Sequence, residues 1–133
     1  MIFSSCKKED EASTGNNVTE LEGTWVGYEV GGLLGDWTFI VSGNEMDVTA
    51  PSLNPAEWYL GTYSINIQVN PKQVDLAITD CSLSNYIGTT AKAIYKIENN
   101  TWTYTGYGPG NPDRPSSFFD TSGFARSFLL TKQ

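Results

Sequence analysis

Asp75 and Arg114 are the side chains best suited to a specific polar task. Asp75 lies in the run Val74-Asp75-Leu76-Ala77-Ile78-Thr79, where strand alternation sets it on the face opposite Val74, Leu76 and Ile78. Arg114 lies in the proline-rich stretch from Gly108 to Ser117, and a guanidinium can grip one carboxylate through two parallel N–H···O bonds. Such a pair either pins the loop to the body of the fold or anchors the polar end of a ligand. Neither role needs catalysis. Histidine is absent, which removes the commonest general base near neutral pH and the Ser/His and Cys/His nucleophile pairs. Asp75, Asp80, Asp113 and Asp120 could supply the paired carboxylates of a glycosidase, but no motif groups them. No D-x-[DN]-x-[DN]-G loop points to calcium. The chain is expected not to be an enzyme and to use neither metal nor cofactor.

Aromatic side chains form the second group. Trp25, Trp37, Trp58 and Trp102, with Tyr59, Tyr63, Tyr95 and Tyr104, either fill a core or line a cavity. If a cavity exists, Tyr63, Tyr95 and Tyr104 are the candidates to line it, because a tyrosine offers an apolar face and a hydroxyl that seeks a partner when buried.

The elements that must position these residues are strands. Aromatics are 13% of the 133 residues and glycine is frequent, with no sustained helical periodicity. Period-two runs predict strands at about 22–30, 36–42, 45–50, 57–68, 73–79, 89–98, 101–107 and 124–131. Ser42-Gly43-Asn44 and Glu98-Asn99-Asn100 suit tight hairpins, since Gly and Asn tolerate positive φ. The prolines of 50–56 and 108–117 mark these stretches as loops. Eight sequential strands without an intervening helix predict an all-β, antiparallel meander, and eight is about the number that closes into a small barrel. A two-sheet sandwich would satisfy the same connection lengths.

One domain is expected at this length. With 15 Asp and Glu against 8 Lys and Arg, no basic stripe is available for a phosphate backbone, so nucleic acid is not expected as a partner.

Phe3-Ser4-Ser5-Cys6 resembles the end of a bacterial lipoprotein signal, whose cysteine is acylated and becomes the new N-terminus. Residues 1–5 would then be a remnant of that signal, with its charged and apolar regions preceding residue 1. Cys6 would carry the acyl chains, each buried CH₂ contributing about 0.8 kcal/mol to anchoring. Lys7 to Asn17 holds no large apolar residue and predicts a solvated tether, so that residues 6–20 form lipidated cysteine plus linker and 21–133 the folded domain. Glu9-Asp10-Glu11 resembles the acidic signal with which some Bacteroidetes lipoproteins are exported to the surface. An acylated Cys6 leaves Cys81 without a partner, so no disulfide is expected, and Cys81 reads as an incidental thiol in a loop.

Leu21-Glu22-Gly23-Thr24-Trp25 carries the Gly-x-Trp pattern that opens the first strand of lipocalins. Gly61-Thr62-Tyr63, Pro71-Lys72-Gln73-Val74-Asp75, Ala93-Ile94-Tyr95 and Arg114-Pro115-Ser116-Ser117-Phe118 follow in order. Across about residues 21–131 this series resembles a small lipocalin-like domain of bacterial envelope lipoproteins, known in planctomycetes and Bacteroidetes, with Ala93 standing where that pattern has glycine. The resemblance implies a lipocalin-like barrel at the outer membrane, closed at one end by Trp25. By position it also implies that Arg126 stacks on that tryptophan.

The expected function is that of a lipid-anchored, monomeric envelope protein that binds a small apolar or amphipathic molecule non-covalently. Tyr63, Tyr95, Tyr104, Asp75 and Arg114 would then border the site, at the end opposite Trp25 and beneath the 108–117 loop. The alternative is an accessory lipoprotein with a packed barrel whose loops contact another envelope protein.

Overall fold

The computed structural model of the chain describes residues 19–32, 35–51 and 56–133. Eight strands close into one barrel: β1 (Gly23–Glu29), β2 (Trp37–Ser42), β3 (Glu45–Ala50), β4 (Glu57–Asn66), β5 (Lys72–Cys81), β6 (Thr90–Glu98), β7 (Thr101–Tyr107) and β8 (Ala125–Lys132). Every neighbour pair is antiparallel and sequential, and β1 pairs with β8 from Trp25↔Lys132 to Glu29↔Phe128. Closure decides between barrel and sandwich, and among the described residues it leaves no strand edge to template aggregation.

Local chemistry explains the joints. Asn99 and Asn100 both take positive φ, 52° and 62°, which is what a two-residue hairpin between twisted strands requires and what asparagine tolerates. Between β4 and β5 the register shifts at Leu60/Gly61, a bulge that carries the strand on to Cys81. A Cβ at Gly61 would sit 2.0 Å from the Ala77 carbonyl oxygen, so only glycine permits this approach of the two strands. Cys81 is therefore the last residue of a strand and buried, a correction to its reading as a loop thiol.

Inside the barrel a ladder of aromatic edges runs along the axis. Trp25 meets Trp102 at 5.4 Å, Trp102 meets Phe39 at 5.3 Å, Phe39 meets Phe128 at 5.5 Å, and Phe128 meets Trp37 at 4.9 Å. All but the tilted Phe39–Phe128 contact are edge-to-face, and contacts of that kind add about 0.5–1.5 kcal/mol each beyond burial. The half of the barrel around Trp25 is thus filled by side chains. At this end the segment 19–22 crosses the opening, with Leu21 fully buried and its carbonyl accepting the Trp25 indole N–H at 2.9 Å.

Candidate functional site

The hairpin directions give the barrel two unlike ends. The Trp25 end carries the tight turns and the 19–22 segment, whereas the other end carries residues 30–32, 35–36, 82–89 and 108–124 together with Pro51 and Ala56 beside β3 and β4. An apolar cleft of about 60 Å³ opens there. That is several times the ~10–15 Å³ one water needs, and it suits a single ring or short chain.

Phe39, Met46, Val48, Leu76, Ile78 and Phe128 form the cleft's apolar floor and walls, with Ala91 between them. Polar groups gather on one side. Arg126 Nε donates to Glu29 Oε2 at 2.8 Å and its Nη2 to Glu29 Oε1 at 2.9 Å. Its Nη1 donates to Glu57 Oε2 at 2.6 Å, and the Tyr59 hydroxyl donates to that same oxygen. The guanidinium lies 5.1 Å from the Trp37 ring and 5.7 Å from that of Phe128. Strand alternation produces this cluster: Glu29 follows Trp25 and Gly27 on the inward face of β1, and Glu57 and Tyr59 open the inward face of β4.

These neighbours set the proton affinities. Burial alone would raise the Glu57 carboxyl, but the hydrogen bonds from Arg126 and Tyr59 outweigh it and hold the group below the usual carboxylate range. Burial likewise opposes the charge of Arg126, yet its two carboxylates raise its pKa above the ordinary guanidinium value. Burial pushes the Tyr104 hydroxyl up to about 12. That hydroxyl borders the cleft in space kept by Gly106, where a Cβ would come within 2.9 Å of it.

Of the residues singled out from sequence, Tyr104 lines the cleft and Arg126 forms its polar side. Tyr63 and Tyr95 do not line it: both stand at the Trp25 end, where their hydroxyls meet the 19–22 segment. The Tyr63 hydroxyl lies 2.7 Å from Thr19 Oγ1, and that of Tyr95 donates to Glu20 Oε2 at 2.7 Å. Lys72 closes this cluster, its Nζ 2.8 Å from Glu20.

Asp75 and Arg114 do meet, 2.6 Å apart, but on the outer wall of the barrel. Arg114 also donates to the Ala93 carbonyl at 2.9 Å, and Lys92 to that of Pro112 at 3.0 Å. Beyond Gly108 and Pro109, which reach the mouth, the loop turns down this wall, with Phe118 under the Lys96 ammonium and the Phe119 amide on Thr105 Oγ1. It covers outward-facing Ile94, Thr105 and Ser127, all buried. The pair pins a loop to the wall and stands apart from the cleft.

Arg126 does not stack on Trp25. Trp25 is 1% exposed at the closed end, and Lys132 holds its ammonium over that ring, whereas Arg126 lies near the opposite end of β8. Glu29 and Glu57 are the residues of this cluster that sequence reasoning missed, whereas Trp37 and Tyr59, named among the aromatics that fill a core or line a cavity, do line the cleft. The available signal was an acid on the same parity as inward aromatics. Cys6 lies outside the described residues. Among the described residues, no cluster of three or more His, Cys, Asp or Glu side chains is placed to hold a metal ion.

Comparison with known protein families, with curated proteins and with solved structures found no match for this chain.

Proposed function

We propose that this protein is a lipid-anchored envelope lipoprotein whose lipocalin-like barrel binds a small amphipathic molecule at its open end. The observation that carries the binding reading is the cleft itself: an apolar hollow, bordered on one side by Arg126 and the Tyr59 and Tyr104 rings, in a barrel whose other half is filled. Pockets of this composition place the apolar body by burial and orient it with a few polar groups. The volume limits the buried part to about one ring or a short chain, with the remainder of a larger ligand outside. Anchoring rests on the lipoprotein-like Phe3-Ser4-Ser5-Cys6. Among the described residues no helix is long and apolar enough to cross a membrane.

The test is a titration with 2-phenylethanol followed by NMR shifts of the Val48, Leu76 and Ile78 methyl groups. Saturable shifts confined to these methyls support the site. Shifts that grow linearly, or that spread over the outer wall, remove it. For the anchor, Cys6→Ala in the protein expressed with a complete signal should leave the membrane fraction, and retention there would remove that claim.

A second reading, a module that contacts another envelope protein, has one observation in its favour. Phe124 is 71% exposed, and Leu83 and Ile87 stand half-exposed on another loop of the same end. Loss of partner capture on Phe124→Ser with unchanged 2-phenylethanol binding would favour it.

A further inference from the structure

We propose that the open-end cleft selects uncharged molecules that carry a carbonyl oxygen beside an apolar body, with the Tyr104 hydroxyl as the donor that recognises that oxygen. This inference rests on the binding reading above and names the ligand class of that site.

Tyr104 carries the first argument. Its ring is held by Phe39 and Phe128, with centroids 5.9 and 5.8 Å away, so the side chain is fixed at the border of the cleft. Gly106 keeps the space around the hydroxyl, since a Cβ there would come within 2.9 Å of it. The hydroxyls of Tyr59, Tyr63 and Tyr95 each meet a partner within the chain. Among the described residues no hydrogen bond contributes to the surroundings of the Tyr104 hydroxyl; burial and nearby charges alone do. Burial raises its pKa to about 12, so at neutral pH it keeps its proton and can donate it. A phenol shielded by apolar walls seeks a partner, and a ligand's carbonyl oxygen supplies one.

Charge is the second argument. Arg126 is the charged side chain that lines the cleft, and it disfavours ligands of either sign. An ammonium would meet this cation with, among the described lining residues, no carboxylate to balance it. A carboxylate would find the guanidinium already engaged. Glu29 and Glu57 take four hydrogen bonds from its five N–H groups, and their two charges exceed its one. A third carboxylate would give up its water in an apolar hollow for the N–H that remains, whereas an uncharged carbonyl gives up far less hydration.

The balance of donors and acceptors separates a carbonyl from an alcohol. An alcohol oxygen can accept from Tyr104, but its own proton then needs an acceptor, and the side chains lining the cleft offer only the phenol oxygens of Tyr59, Tyr104 and Tyr107. A carbonyl brings no donor and leaves nothing unpaired. Phe39, Met46, Val48, Leu76 and Ile78 then receive the apolar body.

The experiment titrates the full chain at pH 7 with probes of one size and shape: acetophenone, 2-phenylpropene, benzoate and benzamidinium. They present in turn a neutral carbonyl, no acceptor, a carboxylate and a cation. Shifts of the Val48, Leu76 and Ile78 methyls in NMR report each affinity. Benzoate and benzamidinium should bind roughly tenfold or more weakly than acetophenone. Tyr104→Phe should weaken acetophenone about fivefold, the worth of one neutral hydrogen bond, and leave 2-phenylpropene within about twofold. The second result also reports that the cleft survives in the variant. A further readout needs no variant: the carbonyl carbon of bound acetophenone should resonate near its value in an alcohol, where it accepts a hydrogen bond, and not near its value in hexane. Equal effects of Tyr104→Phe on acetophenone and 2-phenylpropene, a hexane-like carbonyl shift, or a charged probe as tight as acetophenone would each overturn this inference; with 2-phenylpropene still bound, the cleft reading stands. Failure of all the probes would overturn the cleft reading and this inference with it.

Discussion

The Lys132 ammonium lies 5.6 Å from the centroid of the Trp25 ring, and the two residues face each other across the β1–β8 pair that closes the barrel. A cation over the first-strand tryptophan therefore comes from the end of the last strand. Lys132→Met should lower stability by about 0.5–1 kcal/mol, because the apolar stem is largely kept and the cation–π contact is lost. Lys132→Arg should keep that contribution. Urea midpoints of the three proteins decide it; equal midpoints would mean that the ring gains nothing from the charge.

Removal of the ring itself is a larger event. Trp25→Ala should cost about 3–5 kcal/mol, since it opens a cavity beneath the 19–22 segment and also leaves the Leu21 carbonyl without its indole donor. Trp25→Phe should recover most of the burial and not the hydrogen bond. A thermal midpoint unchanged in Trp25→Ala would contradict the closed-end packing.

Much of the barrel was legible because alternation and turn chemistry are local. Trp102 and Tyr104 against Thr101, Thr103 and Thr105 already separate the two faces of β7, and Asn99-Asn100 already marks the turn before it. The cleft was less legible because its residues meet only when strands distant in sequence close. Glu29 and Glu57 stand 28 positions apart, and nothing local to either says that Arg126 will bridge them. Tyr63 and Tyr95 illustrate the opposite error. Their inward direction is readable from alternation, but which end of the barrel they reach depends on hairpin order and on a segment, 19–22, that belongs to no strand. Bulges blur the count further, as at Leu60/Gly61, where one extra residue on the partner strand sends Cys81 inward.

Acid should unfold this protein through two carboxylates held low. Glu57 and Glu20 have pKa values below their ordinary 4.5: burial raises each, but Arg126 and Tyr59, or Lys72 and Tyr95, outweigh it. A depressed carboxyl contributes stability that is fully present above its unfolded value and is lost as pH falls through the folded one. Urea midpoints should therefore be level above about pH 5 and decline below 4.5. Glu57→Gln and Glu20→Gln should each be less stable than wild type at pH 7 and show a shallower decline. A decline in the Gln variants as steep as wild type would place the acid sensitivity elsewhere.

The Arg114–Asp75 pair makes the long β7–β8 loop a separable unit. Arg114 is held by one carboxylate and by the Ala93 carbonyl, so Arg114→Ala removes both holds at once, whereas Asp75→Asn removes only the charge. Limited proteolysis between 108 and 124 should accelerate strongly in the first variant and modestly in the second. Binding of 2-phenylethanol should change little in Asp75→Asn, because the pair stands on the wall and not in the cleft. Loss of binding in that variant would put Asp75 back among the ligand contacts.

Two alanines on one strand give the last test. Ala91 and Ala93 share the inward face of β6, paired with Leu76 and Val74, but Ala91 borders the cleft whereas Ala93 is fully buried against the filled part of the core. Valine suits a strand at either position, so only the available space separates them. Ala91→Val should project its added methyls into the open volume, leaving stability unchanged or raised by up to about 1 kcal/mol, and should weaken 2-phenylethanol severalfold. Ala93→Val has no such volume and should cost about 1–3 kcal/mol through overpacking, with less effect on affinity in whatever fraction stays folded. Thermal melts and the NMR titration on both variants read the contrast directly. Equal destabilisation by the two substitutions would mean that the cleft does not persist in solution, and the binding reading would fall with it.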